Sequence, residues 1–120
     1  MPKLLVVTTV ESTLRAFLLP YAQYFRAKGW TVDAMANGVS TSQECLDAFN
    51  HCYDVEWSRN PLDLKNFAKT PAYIRGLVER NGYDIVHVHT PVAAFVTRYS
   101  LRKLRKTGKV KVVYTAHGFH

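Results

Sequence analysis

The stretch that most constrains the fold is 83–91, which reads Tyr-Asp-Ile-Val-His-Val-His-Thr-Pro. Its aromatic and β-branched residues are typical of an interior strand. Thr90 can cap a following helix, and Pro91 suits the first helical position, where its missing N–H costs nothing. Strands that turn directly into helices build parallel α/β sheets, which bind ligands at the carboxyl ends of their strands. His87 and His89 project from the same face of this strand, close to that edge.

The rest of the chain repeats the alternation of apolar strands and helical stretches. Residues 3–8 form a continuous apolar run, which indicates a strand covered on both faces. Glycines end three of the predicted helices, Ser12 or Thr13 can cap the first, and we expect kinks at Pro20 and Pro71. The predicted strands are 3–8, 30–36, 52–57, 83–88 and 110–115, and the predicted helices are about 13–28, 42–49, 64–81 and 91–106. In the last helix we expect Val92, Phe95, Val96 and Tyr99 to face inward.

This alternation predicts an α/β fold with a doubly wound, mostly parallel sheet of about five strands. The natural strand order is 3-2-1-4-5, with the topological switch point between the first and fourth strands. A last strand at 110–115 normally needs a further helix to cover it, so we expect this domain to continue beyond the chain.

Composition limits the protein to one domain with a real core, because 48% of its 120 residues are apolar. No run of eighteen apolar residues exists, so nothing spans a membrane, and the amino terminus reads as a first strand rather than a secretion signal. Cys45 and Cys52 form no Cys-x-x-Cys pair. We therefore expect a cytoplasmic protein with two structural thiols.

The net charge of +7 comes entirely from the carboxyl-terminal part of the chain. All acidic residues precede position 91, where an equal number of basic residues balances them. A helix that carries so many basic residues most often forms a solvated outer face of the protein. It could also favour an anionic bilayer, by about 1 kcal/mol per basic residue near the lipid, whereas RNA binding would need more interleaved aromatic residues. The excess consists of Arg98, Arg102, Lys103, Arg105, Lys106, Lys109 and Lys111.

Four segments should converge at the carboxyl edge of the sheet: 8–15, 37–38, 89–91 and 116–120. The first places Thr9, Glu11, Ser12 and Arg15 around a helix amino terminus, whose free N–H groups suit phosphate or sugar hydroxyls. The alternative is an ordinary helix cap beside a solvated arginine. No Gly-x-Gly-x-x-Gly or Walker loop is present, so a dinucleotide or ATP site is not expected.

Three histidines raise the question of a metal site. His87, His89 and His117 on neighbouring strands could hold zinc. No carboxylate or thiol lies close in sequence to complete the set, so we expect no metal. His87 is better interpreted as a core histidine with satisfied hydrogen bonds. His89 and His117 lie at strand ends, where polar residues more often contact a ligand.

Four strings of the sequence together resemble a known family. They are Val-Glu-Ser-Thr-Leu-Arg-Ala-Phe-Leu-Leu-Pro-Tyr at 10–21, Asn-Pro-Leu with Leu-Lys-Asn at 60–66, Tyr-Asp-Ile-Val-His-Val-His-Thr-Pro-Val at 83–92, and Tyr-Thr-Ala-His-Gly-Phe-His at 114–120. In this order, they are similar to the opening part of bacterial family-four glycosyltransferases that build exopolysaccharide and capsule.

The resemblance implies a GT-B fold, in which two Rossmann-like halves face a cleft. Such enzymes transfer a sugar from a nucleotide donor with retention of configuration and without a metal or other cofactor. The amino-terminal half mainly holds the acceptor, often a lipid-linked sugar at the inner membrane face, and the carboxyl-terminal half holds most of the donor. Residues 1–120 match only the first part of the amino-terminal half, so we expect them to be inactive alone.

The same resemblance implies roles for single residues. His117 would contact the donor sugar as the candidate catalytic residue, and Gly118, which follows it in the same string, would bind substrate. The acceptor side would be lined by Thr9, Glu11, Ser12, Arg15, His89 and Thr90. The membrane-facing basic residues would be Arg98, Arg102, Lys103, Arg105 and Lys106, at the inner face of the plasma membrane, and no nucleic-acid partner is expected.

Some features depart from the family, and other functions stay open. Ala93 and Ala94 replace glycines of many relatives, and the glycine-rich first loop of many members is absent, which puts donor-phosphate contact from this half in doubt.

A stand-alone flavodoxin-like or receiver-like binding module has the same strand pattern. A receiver would need acidic residues after its first strand, where this chain has Thr8 and Thr9.

Overall fold

The computed structural model of the chain describes residues 2–55 and 69–115. Its strands are β1 (Lys3–Val10), β2 (Thr31–Asn37), β3 (Cys52–Asp54), β4 (Ile85–Val88) and β5 (Lys111–Tyr114). Its helices are α1 (Glu11–Thr13), α2 (Leu19–Ala27), α3 (Gln43–Ala48), α4 (Lys69–Asn81), α5 (Pro91–Ser100) and α6 (Arg102–Lys106). A π-helical segment, Leu14–Leu18, joins α1 to α2, and a 3-10 turn, Val39–Thr41, precedes α3.

The described strands form one parallel sheet in the order β3-β2-β1-β4-β5, so the predicted order 3-2-1-4-5 is confirmed. β1 lies at the centre, and its residues Leu4 to Thr8 are buried. Val7 pairs with Met35 of β2 on one side and with Val88 of β4 on the other. The first and fourth strands are therefore neighbours, and the carboxyl edge between them is the topological switch point.

Apolar residues cover both faces of the sheet, as the continuous apolar run of β1 predicts. One core packs α4 and α5 against the face that carries Leu5, Val7 and Val86. The other core packs α2, α3 and the π-helical segment against the face that carries Leu4, Val6 and Val32. Layers of helices on both faces give the doubly wound architecture.

The first helical region differs from the prediction. Helix α1 begins at Glu11, directly after β1, and Thr13 has helical backbone angles with no capping hydrogen bond from its side chain. The predicted cap at Ser12 or Thr13 is therefore wrong. The irregularity expected at Pro20 falls just before it, because the five π-helical residues shift the hydrogen-bond ladder where the proline N–H is missing.

The last helical region also differs. The single helix predicted for 91–106 is broken at Leu101 into α5 and α6. Its inward face was predicted partly wrongly, because Phe95 is 55% exposed, while Val96 is buried as expected. Small residues occupy the rest of the buried face: Ala93, Ala94, Thr97 and Ser100. The predicted helical start at 64–68 lies outside the described residues. Pro71 is buried and is the third residue of α4, and the kink expected there stays a prediction.

Candidate functional site

The carboxyl end of β1 contains a bulge that shapes the switch point. Val7 pairs with Met35, but Val10 pairs with Asn37, so β1 contains one extra residue between these pairs. The Thr8 hydroxyl donates to the Val10 carbonyl at 2.9 Å within this bulge. Bulges re-aim side chains and often lie beside active sites. Here the bulge presents Thr9 towards the neighbouring strand-to-helix turn.

Thr9 and Thr90, two predicted substrate-side residues, come together across the switch point. Their hydroxyl oxygens lie 2.6 Å apart, and both residues are half-buried. Thr90 occupies the N-cap position of α5 with extended backbone angles, but its side chain makes no capping hydrogen bond. The predicted cap role is therefore wrong, because the hydroxyl pairs with Thr9 instead. Pro91 begins α5, as predicted.

His87 joins three elements through its ring. Its Nδ1 lies 2.7 Å from the hydroxyl of Tyr21 on α2, and its Nε2 lies 2.7 Å from the hydroxyl of Thr115, just after β5. Burial raises the pKa of the Tyr21 phenol above its ordinary value, so this hydroxyl stays neutral. The interpretation of His87 as a hydrogen-bonded interior histidine agrees with this geometry.

His89 lies beside His87 on the same face of the strand, as the spacing predicts. Their ring centres are 4.0 Å apart, and the Tyr21 ring stands edge-on to His89 at 6.0 Å. The backbone N–H of His89 donates to the Val7 carbonyl, which continues the pairing of β4 with β1. Only 4% of His89 is exposed among the described residues, so its side chain lies beneath the surface at the carboxyl edge of the sheet.

Arg15 lies on the π-helical segment and borders a polar groove of about 360 Å³. The Val39–Thr41 turn, which forms one side, is fixed because the backbone N–H of Ser40 donates to the Asp54 carboxylate at 3.0 Å. Ser12, three residues before Arg15 in the sequence, is exposed, and Glu11 is the first residue of α1. The other groove residues are Thr41, Ser42, Gln43 and Glu44.

The basic residues predicted to face a membrane lie on α5 and α6. The guanidinium of Arg98 lies 5.8 Å from the ring centre of Tyr114, the last residue of β5. Arg105 shares a groove of about 560 Å³ with Lys111, the first residue of β5. All five predicted residues are exposed: Arg98, Arg102, Lys103, Arg105 and Lys106.

Two predicted site residues, His117 and Gly118, lie outside the described residues. Within 2–55 and 69–115, no three side chains of His, Cys, Asp or Glu are grouped so that they could hold a metal ion. The same part of the chain has no helix with the length and apolar character needed to span a membrane.

Comparison with known proteins decides the family. Residues 17–120 match the family described as Glycosyltransferase Family 4. The chain belongs to this family. It is also 38% identical over 118 residues to EpsD of Bacillus subtilis (strain 168), which is named as a glycosyltransferase. That match covers 98% of the chain and 29% of EpsD.

Solved structures agree on the fold of this Family 4 chain. A glycosyltransferase of Rickettsia africae ESF-5 superimposes with a TM-score of 0.69 and 19% identity, over 99% of the chain and 30% of that protein. MurG of Acinetobacter baumannii gives a TM-score of 0.72 and 14% identity, over 97% of the chain and 35% of that protein. The chain therefore spans about a third of these relatives and has the Rossmann-like fold of a GT-B half. The alternative of a stand-alone flavodoxin-like or receiver-like module is not favoured.

Sequence reasoning missed two residues of the site, Tyr21 and Thr115. Both belong to the strings that carry the family resemblance, but neither had a role. Tyr21 reaches His87 from α2, and no sequence pattern signals this tertiary contact. Thr115 could have been inferred, because His87 pairs with Val113 in the register of β4 and β5 and Thr115 lies two residues further along the same face.

Proposed function

We propose that the chain is the acceptor-side, amino-terminal part of a glycosyltransferase of cell-surface polysaccharide synthesis. The complete enzyme would move a sugar from a nucleotide-sugar donor to a lipid-linked or saccharide acceptor. The donor-binding half would lie outside these 120 residues. The single observation that carries the proposal is the family match over 17–120, because it includes most of the carboxyl edge of the sheet.

The geometry of that edge supports an acceptor-side role. The Thr9 and Thr90 hydroxyls and the groove beside Arg15 are polar groups able to hydrogen-bond sugar hydroxyls. They lie at or beside the switch point, where α/β sheets bind ligands. Glu11, Ser12 and His89 complete the proposed acceptor side, and His117 with Gly118 would meet the donor sugar.

Transfer with retention of configuration, independence of metal ions and inactivity of the isolated chain belong to the same proposal. A retaining transfer of this kind needs the acceptor to be positioned against the donor sugar and the developing charge of the sugar to be stabilised. Both halves of a cleft supply those contacts. The chain alone would therefore hold an acceptor without transferring a sugar to it.

The test is a chimera in which residues 1–120 replace the matching 29% of EpsD. Release of nucleoside diphosphate is measured with a panel of nucleotide sugars and saccharide or lipid-linked acceptors. We expect turnover by the chimera, no turnover by the chain alone, no loss on addition of EDTA, and the donor's anomeric configuration in the product.

Two variants locate the transfer in the proposed cleft. Thr9→Val and Arg15→Gln in the chimera should raise KM for the acceptor more than KM for the donor, because their side chains lie on the acceptor side. Turnover by the isolated chain would contradict the two-half proposal. A folded chimera that is inactive with every donor and acceptor would overturn the transferase proposal.

We also propose that the complete protein lies at the inner face of the plasma membrane. The observation that favours this location is the side of α5 and α6 that carries exposed Arg98, Arg102, Lys103, Arg105 and Lys106. Clusters of basic residues bind anionic lipid surfaces by electrostatic attraction. A surface location would bring the acceptor edge close to a lipid-linked sugar.

A further inference from the structure

A groove of about 490 Å³ lies between α5 and Tyr114, the last residue of β5. Its volume falls within the range of small-molecule sites, about 300–1,000 Å³. The residues of α5 that line the groove recur at spacings of three and four, so they share one face of the helix. The described lining residues are Pro91, Ala94, Phe95, Arg98, Tyr99 and Tyr114.

The groove begins at the candidate acceptor site. Pro91, at one end of the lining, directly follows Thr90, whose hydroxyl meets that of Thr9 at the switch point. Arg98 lies seven residues further along α5, which corresponds to about 10 Å along the helix axis. That distance is comparable to the length of a sugar ring with its phosphates. A sugar phosphate bound at the switch point is therefore long enough to reach Arg98.

The groove combines apolar surface with one positive charge. Phe95 is 55% exposed, and Tyr99 and Tyr114 are half-buried. The exposed guanidinium of Arg98 lies 5.8 Å from the ring centre of Tyr114, a cation–π contact that limits its position. No acidic residue follows Asp84 in the sequence, and none of the described lining residues is acidic. Within that lining, nothing neutralises the charge of Arg98, which is open to an anionic ligand.

This arrangement matches an amphipathic molecule better than a plain saccharide. Covering the exposed ring of Phe95 with hydrocarbon is favourable in proportion to the apolar area removed from water. The guanidinium of Arg98 presents several N–H donors, which suit the oxygens of a phosphate. A saccharide without a phosphate would leave that charge unused.

We propose that this groove binds the phosphate and the first part of the hydrocarbon chain of a lipid-linked acceptor. Arg98 pairs with the phosphate, and Phe95 and Tyr99 contact the chain, while the sugar lies at the switch point. The inference rests on the proposed function, and it selects the lipid-linked acceptor over the saccharide acceptor. It also separates Arg98 from the basic residues of α6, which do not line the described groove.

Three water-soluble probes separate the parts of this site. Geranyl diphosphate carries a branched hydrocarbon chain on a diphosphate, whereas pyrophosphate and geraniol carry one part each. Isothermal titration calorimetry at fixed ionic strength measures the binding of each probe to the chain. We expect geranyl diphosphate to bind at least about tenfold more tightly than either part, because only this probe joins both contacts in one molecule.

Two variants test the two parts of the groove. Arg98→Gln should weaken binding of geranyl diphosphate about tenfold or more, the size expected for a charge-assisted hydrogen bond, and leave geraniol binding unchanged. Phe95→Ala should weaken binding of both geranyl compounds about tenfold, because apolar contact area is lost, and leave pyrophosphate binding unchanged. Both side chains are exposed, so the midpoint of unfolding should stay the same.

Matched controls make the same changes elsewhere. Lys103→Gln removes one positive charge from α6, outside the described lining of the groove. Tyr24→Ala removes an aromatic side chain of α2 that is 57% exposed, close to the value for Phe95. Both controls should leave the affinity for geranyl diphosphate nearly unchanged, since exposed groups distant from the ligand are screened by solvent and salt.

Several outcomes would overturn the inference. Equal weakening by Arg98→Gln and Lys103→Gln would mean that net charge alone attracts the diphosphate. Equal affinities for pyrophosphate and geranyl diphosphate would mean that the hydrocarbon chain adds nothing. If Phe95→Ala weakened binding to phosphatidylglycerol vesicles but not to geranyl diphosphate, the groove would be a contact with the bilayer and not an acceptor site.

The second measurement uses the chimera with two acceptors that carry the same sugar, one on a prenyl diphosphate and one with a free reducing end. Arg98→Gln should raise KM for the lipid-linked acceptor about tenfold and leave KM for the donor and for the saccharide unchanged. Equal increases for both acceptors would contradict a phosphate contact at Arg98. A chimera that is inactive with every acceptor would count against the proposed function, and the calorimetry would still decide whether the groove binds a prenyl phosphate.

Discussion

Asp33 is the most deeply buried acidic side chain among the described residues, with 1% of its surface exposed. The hydroxyl of Tyr83 donates to one of its oxygens, and Nδ1 of His51 lies 3.1 Å from the other. Burial, followed by the hydrogen bond to Asp33, raises the pKa of Tyr83 above its ordinary value. These contacts connect β2 with the residues that precede β3 and β4, at the edge opposite the candidate site.

Removing one donor from this buried carboxylate should destabilise the fold. Tyr83→Phe leaves an oxygen of Asp33 without its partner, which costs about 1–3 kcal/mol for a buried group. Urea unfolding measures the loss. Tyr24→Phe is the matched control, because Tyr24 is 57% exposed and should change stability by less than about 0.5 kcal/mol. Equal losses in the two variants would show that Asp33 does not depend on Tyr83.

Cys52 should react slowly with alkylating agents. Desolvation, with smaller contributions from Cys45, Asp33 and Asp54, raises the pKa of its thiol to about 12. Only the thiolate reacts, so an upward shift of about three units lowers the reactive fraction about a thousandfold near pH 8. Iodoacetamide labelling of a Cys45→Ala variant, followed by mass spectrometry, measures this rate.

The same shift fixes how the Cys52 contribution depends on pH. The folded pKa lies above the unfolded one, so the contribution to stability is complete below about pH 8.5 and declines as pH rises towards 12. Labelling in urea serves as the control and should proceed at the rate of an ordinary cysteine. Fast labelling of the native chain at pH 8 would contradict the buried, protonated thiol.

Single residues show how far sequence reasoning could reach. The spacing of His87 and His89 predicted a shared face, because alternation along a strand is a local property. The Thr90 cap was wrong because the cap competes with Thr9, a residue from a distant strand. The contact of His87 with Tyr21 also depends on tertiary packing, which no residue pattern in the sequence contains. The contact with Thr115 follows instead from the pairing of His87 with Val113.

Helix α4 offers a matched pair of glycine tests within one element. Gly82 follows the helix with φ +67°, and its N–H donates to the Val78 carbonyl at 2.9 Å. A methyl group there would meet nothing within 4 Å, so Gly82→Ala costs only the strain of the left-handed conformation, about 1–2 kcal/mol. Thermal unfolding should show this loss, and Gly82→Asn should lose less.

Gly76, inside the same helix, should respond in the opposite direction. It does not have a left-handed backbone, and an added methyl group would meet only the guanidinium of Arg80, with Nη1 at 3.0 Å, at the end of a flexible side chain. Gly76→Ala should therefore stabilise the protein by about 0.5–1 kcal/mol. A loss of stability at Gly76, or a gain at Gly82, would contradict the assigned helix end.

Helices were predicted correctly where they keep the regular α-helical period and wrongly where they do not. Glycines with positive φ end helices where expected, at Gly29, Gly82 and Gly108. Helix α5 was predicted from its large apolar residues, but it packs closely on the sheet through Ala93 and Ala94 instead. The π-helical segment Leu14–Leu18 was not predicted either, since its residues do not distinguish it from an α-helix.

At the level of the whole molecule, the strand order was predictable because right-handed crossovers leave few ways to arrange alternating strands and helices. The same rule located the site at the switch point between β1 and β4. It could not determine the depth of His89 or the groove beside Arg15, since these depend on side-chain packing. Chemistry at His117 and Gly118 stays a prediction.

The basic side formed by α5 and α6 leads to the last prediction, binding to anionic membranes. Replacing Lys103, Arg105 and Lys106 together by glutamine should weaken binding to phosphatidylserine vesicles by about 3 kcal/mol, roughly a hundredfold, since each basic residue near the lipid contributes about 1 kcal/mol. Flotation of the chain with vesicles measures binding, which should also fall as salt screens the attraction.

A control triple variant, in which the exposed residues Lys28, Lys69 and Arg75 are replaced by glutamine, makes the same change in net charge. Equal weakening by both triple variants would mean that net charge alone drives binding, and the absence of any dependence on anionic lipid would exclude α6 as a membrane contact.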